Sequence, residues 1–136
     1  MRDSSLNPSQ GWWPNSGSRD QQRFNTDKVD HWEITPRQLA KRLEAGDDVV
    51  LIDVRERWEH DLVSLPNSRL IPLAELQYRV EEELDRDQEV AVYCHHGQRS
   101  VDAALTLWSL GFERVSSLAG GIDRWAQDVD PDMKRY

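Results

Sequence analysis

The chain has 136 residues, with 17 Lys and Arg against 25 Asp and Glu, which gives a formal net charge of −8 at neutral pH. The length predicts one domain, and the acidic balance argues against nucleic acid or a membrane surface as the main partner. A single cysteine, Cys94, excludes an internal disulfide and any zinc site that needs several thiolates.

Residues 1–30 are rich in polar residues and show neither a helical nor an alternating apolar period, which predicts a disordered arm. Within it, the adjacent pair Trp12 and Trp13 leaves two interpretations open: packing on the domain's own surface, or a motif that docks a partner. We expect the domain over residues 31–130 and a short tail over residues 131–136.

The residues that follow Met1 are polar, which is not the pattern of a signal peptide. No window approaches the roughly 18 apolar residues of a membrane span. Together with one free thiol, these features predict a reducing, cytoplasmic setting.

Regular structure is predicted to begin at Thr35. Residues 35–38 form a capping box with proline at the first helical position, and Gly46 ends the amphipathic helix that follows. Residues 49–52 are uninterruptedly apolar, which is typical of a strand buried on both faces. Helical spacing of leucine and valine predicts the next helix over residues 73–84.

The second half repeats the alternation of strand and helix. Residues 90–93 predict another buried strand, and a helix should run from Ser100 to Gly111. A short strand over residues 115–118, a glycine turn and a last helix over residues 122–127 complete an α/β domain, with helices flanking a largely parallel central sheet. The inner face of the helix after Ser100 is predicted to carry Val101, Ala104, Leu105 and Trp108, and both Trp108 and Trp125 are expected in the core.

Cys94 directly follows the predicted strand over residues 90–93, at the sheet edge where α/β proteins usually bind ligands. The loop after it contains Gly97 and leads into a helix, so its backbone amides are expected to form an anion cradle, to which Arg99 adds a permanent charge. Such a cradle favours the thiolate, which is the reactive form of cysteine. The alternative is a small buried structural thiol.

The segment 94–100, CHHGQRS, resembles the active-site loop of rhodanese-family sulfurtransferases. Three further segments resemble family signatures in order and spacing: residues 51–56 with Glu59, residues 65–73 and residues 118–125. The resemblance spans roughly residues 32–129. The chain departs from the family pattern at Val63, Ser64 and Asn67, where many members have Gly, His and Gly. These positions lie in the linking segment, so the departures bear on its local geometry rather than on the chemistry.

The resemblance implies a single rhodanese-like domain that needs no cofactor and no metal. In it, the Cys94 thiolate takes the outer sulfur of thiosulfate or a persulfide, and a thiol, cyanide or a sulfur-carrier protein then removes that sulfur from the Cys94 persulfide. Arg99 is expected to orient an anionic donor or stabilise the persulfide, or alternatively to form an ion pair that shapes the loop. The residues expected to contact substrate are His95, His96, Gly97, Gln98 and Arg99.

We expect Asp53 and Arg55 to form a buried pair that supports the site, with a substrate contact by Arg55 as the alternative.

Two other functions stay open. One is a binding module of the same fold without catalysis, and the other is a cysteine phosphatase. The phosphatase is disfavoured because such enzymes resemble Cys-x5-Arg, whereas four residues separate Cys94 from Arg99 here. A metal site that joins Cys94 to histidines is disfavoured because His31 and His60 lack suitable spacing.

Overall fold

The computed structural model describes residues 32–136. The arm predicted over residues 1–30, with Trp12 and Trp13, lies outside the described residues. In the described range, no helix combines the length and the apolar character needed to cross a membrane.

Strands and helices alternate along the described chain. The elements are β1 (Glu33–Ile34), α1 (Pro36–Glu44), β2 (Val49–Asp53), α2 (Arg57–Leu62), β3 (Arg69–Leu70), a 3-10 turn (Leu73–Glu75), α3 (Leu76–Glu83), β4 (Glu89–Tyr93), α4 (Gln98–Ser109), β5 (Val115–Leu118) and α5 (Gly121–Asp128). The strands lie in one five-stranded sheet of order β1-β5-β4-β2-β3. β2 pairs in parallel with both β4 and β3, and β4 pairs in parallel with β5, which confirms the α/β fold and the largely parallel sheet.

The predicted cap begins α1. The Thr35 hydroxyl accepts a hydrogen bond from the Gln38 amide at 3.1 Å, and the Gln38 side chain accepts one from the Thr35 amide at 2.9 Å. Pro36 occupies the start of the helix, where its missing N–H costs nothing. This helix start is confirmed because all of its determinants lie within four consecutive residues.

Three short elements were not predicted from the sequence: β1, β3 and α2. β1 and β3 have two residues each and α2 has six, so none is long enough to show a hydrophobic period. α2 matters most for function, because it carries Glu59 towards the loop that follows β4.

The core lies on both faces of the sheet, because neighbouring side chains along β2 and β4 point in opposite directions. Ile52 and Val92 belong to the cluster that includes Leu76 of α3 and Leu107 of α4. Leu51 and its neighbours on the other face belong to the cluster that includes α1 and α5. The strands predicted to be buried on both faces are confirmed.

The orientation predicted for α4 is wrong by about one residue. The buried side chains of this helix are Ser100, Ala103, Ala104 and Leu107, whereas Leu105 is 42% exposed. Ser100 is completely buried beside Cys94, so the positions three, four and seven residues further along face inward with it. Trp125 is in the core as predicted, but Trp108 is only half-buried at the margin of its cluster.

Asp53 and Arg55 form the predicted buried pair, and neither has any exposed surface. The Arg55 guanidinium donates to both Asp53 carboxylate oxygens, at 2.9 and 2.7 Å. It also donates to the Val63 carbonyl oxygen at 2.6 Å and to the Tyr136 hydroxyl oxygen at 2.6 Å. Arg55 therefore ties the end of β2 to two later segments of the chain.

The orientation of α4 can be tested by two leucine truncations. Leu107→Ala leaves a cavity in the core and is expected to lower the free energy of unfolding by about 2–5 kcal/mol. Leu105→Ala removes a solvent-facing side chain and should change it by no more than about 0.5 kcal/mol. Urea unfolding followed by circular dichroism measures both, and equal losses would contradict the observed orientation.

Candidate active site

Cys94 lies at the carboxyl end of β4 with 1% of its surface exposed. Its sulfur accepts hydrogen bonds from the backbone amides of Gly97, at 3.1 Å, and Ser100, at 3.3 Å. The Cys94 thiol donates to the Ser100 hydroxyl oxygen, 3.6 Å away, and the hydroxyl can turn to donate once the sulfur is ionised. The two amides, at the positive end of α4, form a cradle that suits a negatively charged sulfur atom.

The cradle differs from the sequence expectation, which placed it in the backbone of the loop after Cys94: among residues 95–99, only the Gly97 amide donates to the sulfur. Ser100, one position further along, supplies both an amide and a hydroxyl. Its hydroxyl also lies 2.7 Å from the Ser117 hydroxyl on β5, which fixes the side-chain rotamer. A small hydroxyl residue in the first turn of a helix after a cysteine loop is the sequence signal that would have found Ser100.

Gly97 makes the tight turn possible. Its φ is +103°, in the left-handed region that residues with a Cβ rarely adopt. A Cβ at this position would also lie 3.2 Å from the backbone nitrogen of Gly120. The structure thus gives Gly97 a backbone role: its conformation aims its own amide at the Cys94 sulfur.

The first turn of α5 forms hydrogen bonds with the backbone of the cysteine loop. The Ile122 amide donates to the Cys94 carbonyl oxygen at 2.9 Å, and the Asp123 amide donates to the His95 carbonyl oxygen at 3.1 Å. This approach needs a glycine at position 121, because a Cβ there would lie 2.3 Å from the His95 carbonyl oxygen. The glycine pair at residues 120–121 therefore serves the site as well as the turn.

The two histidines occupy different environments. His95 is half-buried, and its ring is parallel to the Tyr136 ring with the centroids 3.8 Å apart. Burial, followed by the neighbouring His96, lowers the pKa of His95, which favours its neutral imidazole. His96 and Gln98 are exposed at the surface of the loop.

Arg99 forms a two-pronged ion pair with Glu59 of α2, with N···O distances of 2.8 and 3.0 Å. The Tyr136 hydroxyl donates to the same carboxylate at 2.7 Å. Burial alone would raise the pKa of Glu59, but the hydrogen bonds from Arg99, the Glu56 amide and Tyr136 outweigh it and lower the pKa to about 2. The structure thus contains the ion pair that the sequence analysis held as the alternative for Arg99.

Glu59 and Tyr136 are the residues whose importance the sequence analysis missed. Glu59 was part of a signature but had no assigned role, and Tyr136 was placed in the tail over residues 131–136. Glu59 lies 40 positions from Arg99, and Tyr136 lies 77 from Glu59. No local pattern in the sequence indicates contacts between such distant positions.

One group of side chains in the described range has the geometry to hold a metal ion. The ligand atoms of His95, His96 and Asp123 lie within 4.8 Å of one another. The Asp123 carboxylate, however, already accepts hydrogen bonds from Arg135 at 2.8 Å and from Gln127 at 3.0 Å. The Cys94 sulfur is not part of this group.

Known proteins with similar sequences include sulfurtransferases. Residues 35–128 match the family model of the rhodanese-like domain. The chain is 36% identical over 104 residues to the probable adenylyltransferase/sulfurtransferase MoeZ of Mycobacterium tuberculosis, a match that covers 76% of this chain and 26% of MoeZ. It is 35% identical over 95 residues to a sulfurtransferase of Allochromatium vinosum, covering 70% of this chain and 88% of that protein. The chain therefore spans about a quarter of MoeZ but most of the smaller relative.

Solved structures with the same fold include small proteins of similar extent. A rhodanese-related protein from Thermoplasma volcanium superimposes with a TM-score of 0.64 at 33% identity, covering 71% of this chain and 92% of that chain. The human single-domain sulfurtransferase TSTD1 superimposes with a TM-score of 0.67 at 24% identity, covering 71% of this chain and 96% of its own, which supports the fold alone.

The contribution of Glu59 to stability should depend on pH. Because the pKa of Glu59 is lowered from 4.5 to about 2 by folding, its ion pair stabilises the protein above about pH 4.5, and this stabilisation is lost as the pH falls towards 2. Between those pH values the wild type should lose up to about 3 kcal/mol more of its free energy of unfolding than Glu59→Gln. Urea titrations at several pH values measure the difference, and identical pH slopes would contradict the assignment.

Proposed function

Because the chain belongs to the rhodanese-like domain family, we propose that it is a sulfurtransferase in which Cys94 carries the transferred sulfur as a persulfide. The observation that supports this most directly is the cradle, in which the amides of Gly97 and Ser100 both point at the Cys94 sulfur. The sulfurtransferases among its relatives support the same class of reaction.

The first half of the reaction loads the cysteine. The Cys94 thiolate attacks the outer sulfur of the donor, so that a bond forms between the two sulfur atoms while the donor's own S–S bond breaks. With thiosulfate as donor, sulfite leaves with the electron pair, and the Cys94 persulfide keeps one negative charge. The cradle holds that charge without needing to rearrange, which lowers the barrier.

The second half unloads the cysteine. A nucleophilic acceptor attacks the outer sulfur of the Cys94 persulfide, the S–S bond breaks, and the Cys94 thiolate leaves into the same cradle. The oxidation state of the sulfane sulfur is unchanged over the cycle, so the proposal requires no redox cofactor. We propose a thiol, cyanide or a sulfur-carrier protein as acceptor, in a cytoplasmic setting.

The residues around the cradle have supporting roles in this proposal. Gly97 and Ser100 stabilise the sulfur anion, and Arg99 shapes the loop through Glu59. His96 and Gln98, which face solvent on the loop, are positioned to meet an incoming donor or acceptor. His95 supports the loop through its contact with Tyr136.

Intact-protein mass spectrometry after brief incubation with thiosulfate, and separately with cysteine persulfide, tests the persulfide. A gain of about 32 Da, one sulfur atom, that dithiothreitol removes is expected in the wild type and absent in Cys94→Ser. A folded wild-type protein that gains no sulfur from either donor would contradict the proposal and leave the non-catalytic binding module as the better interpretation.

The Ser100 hydroxyl should contribute modestly to persulfide formation. Ser100→Ala keeps the backbone amide but removes the hydroxyl, so we expect a loss of about fivefold in the rate of sulfur uptake, equivalent to about 1 kcal/mol. Ser109→Ala on the exposed end of the same helix is the matched control and should have no effect. Equal rates for both variants would show that the hydroxyl does not contribute to the cradle.

A further inference from the structure

The arginines around the Cys94 loop are already neutralised in the described part of the chain. Each has a carboxylate partner within 3.1 Å, and two of these carboxylates belong to residues that are less than 5% exposed. The four pairs are Arg55 with Asp53, Arg99 with Glu59, Arg124 with Asp128 and Arg135 with Asp123.

Arg99 is the arginine of the cysteine loop itself, and Glu59 is firmly held against it. Glu59 is 4% exposed, and the Glu56 amide donates to it at 3.0 Å as part of the cap of α2. The Tyr136 hydroxyl donates to its other oxygen. An anion that displaced Glu59 would leave a buried carboxylate without its cation, which is strongly unfavourable.

Two backbone donors of the loop are also occupied, because the amides of Gly97 and Ser100 point at the Cys94 sulfur itself. A dianion such as thiosulfate therefore meets a thiolate, paired cations and a chain of net charge −8. The negative charges repel the dianion, and the paired cations do not attract it.

The surface beside the loop is instead aromatic. The Trp58 ring, on a residue that is 61% exposed, lies 5.8 Å from the Tyr136 ring, which in turn stacks on His95. These rings offer apolar contact to the carbon skeleton of an organic donor, whereas thiosulfate has no carbon skeleton to place there.

We propose that Glu59 is a specificity-determining residue which, by neutralising Arg99, makes this site prefer an organic persulfide over thiosulfate as its sulfur donor. The inference rests on the proposed sulfurtransferase function. The Cys94 thiolate attacks the outer sulfur of a persulfide RSSH, a new S–S bond forms, the original S–S bond breaks, and RS⁻ leaves with the electron pair. The proton stays on the transferred sulfur and no net oxidation occurs. The departing thiolate carries one negative charge, whereas sulfite carries two.

The salt dependence of the wild type is the first test. The second-order rate constant for sulfur uptake by Cys94 is measured by quench and mass spectrometry, with thiosulfate and with cysteine persulfide, at low and high concentrations of sodium chloride. Because salt screens repulsion between like charges, the thiosulfate rate constant should rise severalfold with salt, while that for cysteine persulfide changes less. A thiosulfate rate constant that falls with salt would reveal an attracting free cation and overturn the inference.

The second test is Glu59→Gln, which removes the negative charge and leaves Arg99 unneutralised. The ratio of the thiosulfate rate constant to the persulfide rate constant should rise about tenfold, because the unpaired Arg99 guanidinium then attracts the thiosulfate dianion. The ratio is used because partial unfolding or a loosened loop lowers both rates together. The matched control is Glu83→Gln, which breaks an ion pair with Arg79 on α3 and should leave the ratio unchanged.

The outcomes separate this inference from the proposed function. Sulfur uptake from at least one donor supports the function, and an unchanged ratio in Glu59→Gln then overturns the role of Glu59 alone. No uptake from either donor overturns the function and the inference together. If Glu59→Gln does not fold, the sign of the wild-type salt dependence decides.

Discussion

The turn from β4 into α4 must bring two backbone amides within hydrogen-bond distance of one sulfur atom, and much of the surrounding structure serves that geometry. The turn needs the left-handed conformation of Gly97, which aims its amide at Cys94. The first turn of α5 donates hydrogen bonds to the Cys94 and His95 carbonyl oxygens. The close approach of this turn to the loop requires the glycine at position 121. A cradle built from backbone amides is rigid, and this rigidity lets it stabilise charge without rearrangement.

A second set of contacts, made by four charged side chains and one tyrosine hydroxyl, connects the loop to β2 and α2. It runs from Asp53 through Arg55 and the Tyr136 hydroxyl to Glu59, and ends at Arg99 in α4. Burying such charges costs solvation energy that offsets much of what the ion pairs gain, so the network mainly sets geometry while all of its charges are present. Protonating one of them, as at Glu59 in acid, leaves its partner uncompensated, and this is what costs stability. Its consequence for chemistry is that the guanidinium of Arg99, in the cysteine loop, is already bound by a carboxylate of the protein.

The features that were predicted correctly are those in which the decisive residues are close together in the chain. The capping box of α1 occupies four residues, and the buried strands are short runs of apolar side chains. Cys94 and Gly97 could be placed in one loop because a strand ends just before them and a helix begins just after. The orientation predicted for α4 was wrong because apolar residues lie on more than one side of this helix. The tertiary structure turns the side with Ser100, Ala103 and Leu107 inward, where Ser100 contacts Cys94.

The amino-acid sequence by itself determined the order of the longer strands and helices, the position of the cysteine at the carboxyl end of a strand, and the glycine that the loop requires. It did so because local sterics, capping and hydrophobic periodicity act between residues a few positions apart. The tertiary structure alone decided that Ser100 completes the cradle, that Glu59 neutralises Arg99, and that Tyr136 covers His95 and joins Arg55 to Glu59. These contacts depend on how the sheet, α2 and the last residues of the chain pack together, and Arg55 and Tyr136 are separated by 81 positions. Packing between such distant segments has no signature in a single sequence, because it is set by the whole fold rather than by neighbouring residues.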